Sequence, residues 1–404
     1  MLRAYEMKIT KVETLRSTEH ENILWVRLYT DTGFVGLGET FMGAAAVEAY
    51  IHEFAQQKLL GQNPLSIEKL GRDLRGYLGF VGTGVEMRGN SAIDIALWDL
   101  FGKVSNQPIY QLLGGKCRDS IRTYNTCAGA NYIRTKETQS SRNWGIGSNL
   151  AEGFDDLNWF MTRADELAVS LLNEGISAMK VWPFDKYAEE SNGTYISDED
   201  LDTALDVFRK IRKAVGNKMD IMVEFHSLWN LPMAIKIARA LQPFNTFWHE
   251  DPIRMDNMTS LPRYAAVSHA PVCASETMGG KWAYTDLLNS NAAGVIMIDL
   301  SWCGGISEGR NIAAMADAYH LPISPHDCTG PVVLTASTHL SLYAHNALIQ
   351  ESVRAFYNGW YKEYVSAMAV VTNGFITVPE GPGLGMELVK GVEKFDDIII
   401  RISE

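Results

Sequence analysis

The sequence predicts an α/β fold in which a barrel of parallel strands follows a smaller α+β domain, and three observations predict it. Short apolar runs alternate with amphipathic stretches from residue 121 onward. Several of these runs end in an ionisable residue, which is typical of a (β/α) barrel that builds one site from many strand ends. Before residue 115 the pattern is instead one of two alternating strands followed by helices. The length of 404 residues also favours two domains over one.

The first domain is predicted from periodicity and turn residues. Residues 7–16 and 23–33 alternate like two antiparallel strands, and the second of these segments ends in a turn. Residues 91–104 repeat apolar side chains at helical spacing. Residues 108–116 carry paired glycines where a helix is expected to end.

Eight strands with seven intervening helices are predicted for the barrel. The strands are apolar on both faces, as buried parallel strands must be. The predicted strands are 121–127, 177–182, 219–224, 246–250, 272–276, 294–299, 321–326 and 347–352. Residues 128–154 are too long and polar for an ordinary loop and are a candidate cover for the barrel mouth. The alternation stops after residue 353, and we expect the tail to return to the first domain.

Composition excludes several classes of function. The chain is 46% hydrophobic and 21% charged, as in soluble globular proteins, and no apolar stretch reaches the 18 residues of a membrane span. A net charge of −12 argues against binding to nucleic acid. The five cysteines are scattered without a CxxC pair, which favours reduced thiols. We therefore expect a cytoplasmic protein that binds neither membranes nor nucleic acid.

Three glutamates follow consecutive predicted strands at an even pitch of 26 residues. Glu224, Glu250 and Glu276 end the runs IMVE, TFWHE and VCASE. Any one of them is more often a solvated surface residue. Three at equal pitch on neighbouring strands favour a shared ligand set, and carboxylate oxygens suit Mg²⁺ better than zinc.

Two histidines follow the same series. Asp299 and His326 end the next two strands, where a carboxylate can orient an imidazole and raise its pKa, giving a general base. His226 lies two residues after Glu224, so a strand would place both side chains on one face. That position suits a general acid, with a buried structural histidine as the alternative.

Three further strand-end residues are candidates for contacts with a substrate. Lys180 can supply a fixed cation near a substrate carboxylate, although a solvated lysine is commoner. Trp182 can line the pocket or only fill the core. Glu351 can hydrogen-bond an enolate oxygen if it is protonated, and an ionised rim carboxylate is equally plausible.

Together these residues resemble the enolase superfamily, in its mandelate racemase-like subgroup. The resemblance rests on LLGQNPLSIEKL, SAIDIALWDLFGK and PIYQLLGGKCRD in the first domain, and on HEDP, ASE, GGI and SPHD in the barrel. It implies a (β/α)7β modified TIM barrel (119–353) with an α+β capping domain formed by the N-terminal segment (1–118) and the C-terminal tail (354–404). It also implies Mg²⁺-assisted removal of a proton next to a carboxylate. The segment near 17–22 is expected to close over the substrate.

Departures from the racemase pattern narrow the implied reaction. Where the racemase carries Lys-x-Lys, this chain has Lys180-Val181-Trp182, so the second base is missing. The segment Glu224-Phe225-His226 is similar to that of acid-sugar dehydratases resembling D-galactonate dehydratase, in which the histidine expels the 3-hydroxyl. The resemblance implies one Mg²⁺ per site, a small-molecule sugar acid as substrate and a homo-oligomer. An epimerase or racemase on the same scaffold is the alternative, and a non-catalytic sugar-acid binder is another.

Overall fold

The N-terminal part of the chain forms an antiparallel sheet covered by helices. The computed structural model describes residues 6–76, 82–134, 140–144 and 154–404. Strands β1 (Ile9–Ser17), β2 (Ile23–Thr30) and β3 (Val35–Phe41) pair in sequence order. The helices are α1 (Ala44–Tyr50), α2 (Gln56–Leu59), α3 (Ile67–Leu74), α4 (Val85–Ser105) and α5 (Ile109–Leu113), with a π-helical segment (Ile51–Ala55) between α1 and α2. This unit is the predicted α+β domain.

Two glycines let β3 lie directly on α4. A Cβ atom at Gly36 would come within 2.2 Å of the Ala96 carbonyl oxygen, and one at Gly38 within 1.9 Å of the Ala92 carbonyl oxygen. Any side chain at these positions would therefore push strand and helix apart. The glycines fix the distance between the sheet and the longest helix of this domain.

The middle of the chain forms the barrel. Its strands are β4 (Ile121–Thr126), β5 (Ala178–Val181), β6 (Asp220–Glu224), β7 (Trp248–Glu250), β8 (Val272–Ala274), β9 (Ala293–Ile298), β10 (Ile323–Pro325) and β11 (Gln350–Ser352). Neighbours from β4 to β10 pair in parallel, and β11 pairs in parallel with β4. The Ser324 hydroxyl of β10 donates to the carbonyl of Ile349, the residue just before β11, and so links these two strands. The predicted barrel of eight strands is confirmed.

Helices connect the strands and shield the outside of the barrel. They are α6 (Asp156–Thr162), α7 (Ala164–Asn173), α8 (Asp185–Ser191), α9 (Asp198–Val215), α10 (Leu231–Leu241), α11 (Leu261–Ala265), α12 (Gly280–Asn289), α13 (Gly305–Ala318) and α14 (Pro331–Tyr343). Side-chain caps start several of them: Ser197 accepts from the Asp200 amide at α9, and Asn230 accepts from the Met233 amide at α10. Such caps satisfy amides that have no partner within the helix.

The C-terminal tail contributes to both parts of the molecule. It contains α15 (Arg354–Tyr357), α16 (Tyr361–Tyr364) and the strands β12 (Val370–Thr372), β13 (Phe375–Thr377) and β14 (Ile398–Ser403). β14 pairs with β1 and extends the capping sheet. The hairpin of β12 and β13 pairs with β4 and extends the barrel sheet. The tail predicted to complete the capping domain thus gives one strand to that domain and a hairpin to the barrel.

Buried polar groups join the capping domain to the barrel. The Glu39 carboxylate accepts hydrogen bonds from the Val332 and Val333 amides at the start of α14, at 3.0 and 2.8 Å. Asp94 accepts from the amide and hydroxyl of Ser307 at the start of α13. These contacts place the edge of the capping sheet above the C-terminal ends of the barrel strands. No helix in the described ranges has the length and apolar character to cross a membrane.

Candidate active site

Simple strand alternation places five of the predicted site residues in the barrel interior. One buried cluster inside the barrel takes side chains from its strands: Tyr124, Ala178, Met222, Trp248, Cys273, Val295, Met297 and Ile349. Residues two positions later point to the same side of a strand. In this way Ala178 leads to Lys180, Met222 to Glu224, Trp248 to Glu250, Met297 to Asp299 and Ile349 to Glu351. The polar residues therefore form a layer directly above an apolar floor.

The structure brings the three glutamates together. Glu224, Glu250 and Glu276 each offer a carboxylate oxygen, and these atoms lie within 4.8 Å of one another. Glu224 and Glu250 are buried, whereas the Glu276 side chain retains 12% of its exposure. The Trp248 indole donates to Glu250 Oε2 at 3.0 Å and holds that side chain in place. Of the three glutamates, Glu276 lines the cavity that adjoins the cluster.

Lys180 lies among the carboxylates and lines the adjoining cavity. Its Nζ atom is 2.5 Å from Glu250 Oε1, 2.9 Å from Glu351 Oε1 and 3.1 Å from Glu224 Oε2. The sequence predicted a cation near the substrate carboxylate. In the structure that cation is anchored by two members of the glutamate cluster and by Glu351.

The cluster fits a hard divalent cation. Burial, followed by repulsion from Glu224, raises the pKa of Glu250 well above its usual range, and burial also raises the pKa of Glu276. The carboxyl groups of this region outnumber its lysine and histidines. Asp251 adds a buried Oδ1 atom with no hydrogen-bond partner among the described residues. Oxygen ligands in a negatively charged cluster are the donor set that Mg²⁺ prefers.

His326 and Asp299 form a hydrogen-bonded pair beside the cluster. His326 Nδ1 is 2.6 Å from Asp299 Oδ2, and Asp299 Oδ1 accepts from the amide and hydroxyl of Ser301. This bond leaves His326 Nε2 facing Glu276 Oε2 at 3.3 Å. Trp302 stacks on the His326 ring, with centroids 5.7 Å apart. The imidazole is thus held in one orientation from two sides.

The charges around His326 determine its proton affinity. Burial lowers the pKa of His326, but Glu276, Glu351 and Asp299 outweigh burial and raise it to about 10. A divalent cation at the glutamates would offset part of this negative potential and lower the pKa towards neutrality. A neutral imidazole is the form that can accept a proton.

His226 reaches the cavity through a turn, not through strand alternation. β6 ends at Glu224, and His226 has a left-handed backbone with φ of 48°. The Phe225 and His226 amides both donate to Glu224 Oε1, at 3.0 and 2.7 Å, so the turn wraps around that carboxylate. His226 therefore lines the cavity by way of this turn, whereas the sequence prediction relied on strand alternation.

Asp185 is a partner of His226 that the sequence did not reveal. His226 Nδ1 lies 2.6 Å from Asp185 Oδ2, and Asp185 is 5% exposed. Burial opposes protonation of His226, but Asp185 and Glu224 outweigh it and raise its pKa to about 9. Asp185 begins α8, three residues after Trp182, where sequence alone predicts only an ordinary helix-start carboxylate.

The two histidines line one cavity. Its lining combines polar and charged side chains with apolar and aromatic ones: Phe41, Met42, Thr126, Tyr132, Ile133, Lys180, Trp182, His226, Glu276, Trp302, His326 and Cys328. Trp182 contacts the rings of Tyr132, Phe160 and His226, and its buried Nε1 atom has no hydrogen-bond partner among the described residues. The sequence did not predict that Phe41 and Met42 of the capping domain line the cavity, because no sequence pattern shows which capping residues contact the barrel.

Glu351 is held inside the polar layer. The Thr126 hydroxyl donates to Oε1, and the Asp327 amide donates to Oε2 at 3.2 Å. Glu351 Oε2 is 3.9 Å from His326 Nε2. Glu351 is fully buried, so it does not lie at the rim of the barrel as the alternative interpretation required.

The segments predicted to cover the site meet above the cavity. The Asn22 side-chain amide donates to the Ile133 carbonyl at 3.0 Å, and Arg134 contacts the carbonyl and carboxylate of Glu19. Ile133 itself lines the cavity. Residues near 17–22 thus touch the start of the 128–154 segment. Residues 135–139 and 145–153 of that predicted cover lie outside the described residues.

Comparison with known proteins agrees with this geometry. Residues 5–114 match the mandelate racemase / muconate lactonizing enzyme N-terminal domain, and residues 163–392 match the enolase C-terminal domain-like family. A D-galactonate dehydratase from Ralstonia nicotianae is 32% identical over 394 residues, which covers 95% of this chain and 92% of the relative. Another from Pectobacterium atrosepticum is 32% identical over 389 residues, with the same coverage. The crystal structure of an enolase of the mandelate racemase subgroup from Agrobacterium tumefaciens is 57% identical, covers 98% of this chain and 99% of that chain, and gives a TM-score of 0.88.

The chain therefore belongs to the enolase superfamily, within its mandelate racemase-like subgroup. Its fold is the barrel with a capping domain that the resemblance implied. Both of these relatives are dehydratases that align over nearly their whole length, and the chain is accordingly an enzyme of the hydro-lyase class.

Proposed function

We propose that the protein is a Mg²⁺-dependent dehydratase of a sugar acid, an aldonate, and that it forms a 2-keto-3-deoxy acid. The observation that carries the proposal is that two histidines, each bound to an aspartate, line one cavity with a carboxylate cluster. Dehydration next to a carboxylate needs a base at C2 and an acid at the 3-hydroxyl. The names of the D-galactonate dehydratase relatives favour a sugar acid as the substrate.

Glu224, Glu250 and Glu276 would hold the Mg²⁺ ion. When bound, the ion neutralises charge on the substrate carboxylate and so makes the neighbouring C2 proton more acidic. Lys180 adds a second fixed positive charge on the floor of the cavity, anchored by Glu250 and Glu351. A preorganised charge of this kind stabilises the negative enediolate that proton removal creates.

His326 is the proposed base. Asp299 holds Nδ1, which leaves Nε2 to take the C2 proton on the side of the cavity next to Glu276. Trp302 stacks on the ring and so holds its plane. The Asp299 carboxylate also stabilises the imidazolium that forms.

His226 is the proposed acid. Its ring enters the cavity from the end of β6, across the barrel from His326, and contacts Trp182 there. Transfer of a proton from Nε2 to the 3-hydroxyl oxygen lets the C3–O bond break with release of water. The enol that remains becomes the 2-keto-3-deoxy acid. Buried Trp182 Nε1, which has no hydrogen-bond partner among the described residues, is available to donate to a substrate oxygen.

A library of aldonates tests the proposal directly. Purified enzyme with Mg²⁺ is incubated with each acid, beginning with D-galactonate, and 2-keto-3-deoxy product is measured. We expect one or a few aldonates to be converted, with activity lost after chelation by EDTA and restored by Mg²⁺. Conversion that survives complete removal of divalent metal would contradict the assignment of the glutamates.

The same incubation in D₂O separates dehydration from epimerisation. An epimerase would place deuterium at C2 of an intact acid with no loss of water, and NMR detects this outcome. The Asp185–His226 pair makes the alternative concrete, because a second imidazole could act as a second base. An acid that binds but undergoes neither reaction would instead support a non-catalytic binder.

A further inference from the structure

We infer that Asp185 is a positioning residue that fixes His226 as the acid of the second half of the reaction. The inference rests on the proposed dehydratase function and adds a residue to it. The observation behind it is the hydrogen bond of 2.6 Å between Asp185 Oδ2 and His226 Nδ1 at the wall of the cavity.

The bond determines which nitrogen faces the substrate. An ionised carboxylate can only accept, so Nδ1 must carry a proton and donate it to Asp185. The proton available for transfer is then the one on Nε2. Once Nε2 has given its proton to the 3-hydroxyl, the neutral ring that remains keeps its one proton on Nδ1, where Asp185 accepts it.

Two further contacts hold the same ring. Trp182 meets it edge to face, with centroids 5.8 Å apart and planes at 75°. The His226 amide is bound to Glu224 Oε1, which fixes the left-handed turn from which the side chain projects. Only Asp185 among these contacts acts on the nitrogen atoms, so orientation and tautomer are set by different residues.

Asp185 has no structural task among the described residues that would explain its burial. It stands at the first position of α8, yet it accepts no hydrogen bond there from a helix amide. Its second oxygen, Oδ1, is buried without a hydrogen-bond partner. Burying a carboxylate costs free energy, and the hydrogen bond to His226 offsets only part of that cost. A role in holding the imidazole explains why the carboxylate is buried here. The pair repeats the geometry of Asp299 and His326, whose corresponding distance is also 2.6 Å.

The two half-reactions separate the role of Asp185 from general damage. His326 removes the C2 proton, and its electron pair forms the enediolate. Collapse of the enediolate makes the C2–C3 double bond, breaks the C3–O bond and takes the proton from His226 Nε2 to form water. In a 3-deoxy-3-fluoro analogue the C3–F bond breaks instead, and fluoride leaves without a proton from His226.

The test is the Asp185→Asn variant, assayed with the aldonate that the wild-type enzyme dehydrates and with the 3-deoxy-3-fluoro analogue of that aldonate. An amide can donate to Nδ1 and so favour the neutral ring with its proton on Nε2, which is the opposite of the tautomer that transfer of the Nε2 proton must leave. We expect dehydration to fall by about 10²-fold or more. Fluoride release should stay near the wild-type rate. In D₂O, the amount of C2 deuterium in the recovered aldonate, divided by the amount of product formed, should be higher for the variant than for the wild type. Equal loss of dehydration and fluoride release, or unchanged dehydration, would overturn the inference.

Control variants secure the interpretation. Asp198→Asn changes an exposed aspartate in the first turn of α9, which pairs with Lys236, and should leave both reactions unchanged. Because Asp185 acts through His226, the double variant with His226→Asn should be no slower in dehydration than His226→Asn alone. If Asp185→Asn does not fold, Asp185→Ser supplies the same comparison. A wild-type enzyme that dehydrates no aldonate would instead refute the proposed function, which keeps the two failures distinct.

Discussion

His326 is the residue on which the proposed chemistry can be tested most sharply. Replacing it by Asn retains a polar side chain of similar reach but removes the atom that would accept the C2 proton. We expect dehydration to fall by about 10²–10⁴-fold, the usual contribution of a general base. Mg²⁺ binding, measured by isothermal titration calorimetry, should persist because the three glutamates are unchanged. A variant that still dehydrates at the wild-type rate would remove His326 from the role of base.

The two histidines differ in how far sequence could locate them. His326 follows β10 directly, and its partner Asp299 follows β9, so the order of strands predicts their contact. His226 lies beyond the end of β6 and depends on a left-handed turn around Glu224 that no residue pattern announces. The contact of Asp185 with His226 is harder still to predict, since Asp185 belongs to α8, which follows β5 and not β6. Contacts between neighbouring strand ends are predictable, whereas contacts through turns and helix starts require coordinates.

At the scale of elements, the seam between β3 and α4 controls how the capping sheet sits on its helix. Gly38→Ala would place a Cβ atom 1.9 Å from the Ala92 carbonyl oxygen, which is backbone and cannot rotate away. We expect the free energy of unfolding to fall by about 1–3 kcal/mol or more, as in other overpacked positions. Urea denaturation followed by circular dichroism measures the change.

Gly71→Ala is a matched control for that substitution. Gly71 lies inside α3, and a Cβ atom there would have nothing within 4 Å. Alanine reduces the entropy of the unfolded chain in the same way at both positions. Gly71→Ala should therefore raise stability by about 0.5–1 kcal/mol. Two variants that behave alike would show that the close approach of β3 to α4 does not limit stability.

The elements themselves were largely predictable, because each barrel strand is a short apolar run followed by an amphipathic helix. The strand predicted over 219–224 is observed as Asp220–Glu224, and the one over 294–299 as Ala293–Ile298. The destination of the tail was not predictable in the same way. The hairpin of β12 and β13 joins the barrel through β13, which pairs with β4, and β14 joins the cap through β1. Pairing partners distant in sequence leave no local periodicity to detect.

At the scale of the whole molecule, the capping domain and barrel are held by buried polar contacts close to the site. Glu39 of β3 binds the start of α14, and the neighbouring Thr40 hydroxyl donates to the Ser301 carbonyl. Ser301 in turn donates to Asp299, the partner of His326. The cap thus touches the residues that orient the proposed base. A reaction of this type needs water excluded from the enediolate, and the cap and barrel together enclose that space.

His339 links three parts of the chain and makes the stability of the whole molecule depend on pH. It lies on α14, accepts from the Tyr110 amide of α5 through Nδ1 and faces the Leu384 carbonyl of the tail through Nε2, both at 3.3 Å. Burial lowers the pKa of His339 from 6.5 to about 4, so the folded protein keeps the ring neutral. Between pH 6.5 and 4 the unfolded chain binds the extra proton, and stability therefore rises with pH across this window and is lost as pH falls.

The prediction is that His339 contributes about 2 kcal/mol to the loss of stability between pH 7.5 and 5. His339→Gln retains a neutral donor and acceptor but cannot take up a proton. Urea unfolding at both pH values should therefore show a smaller loss for His339→Gln than for the wild type. His345→Gln, which changes an exposed histidine paired with Asp317, should follow the wild type. If His339→Gln and wild type lost stability in parallel, the proton linkage would have to reside in other groups, because protonation of this ring would disrupt its bond to the Tyr110 amide.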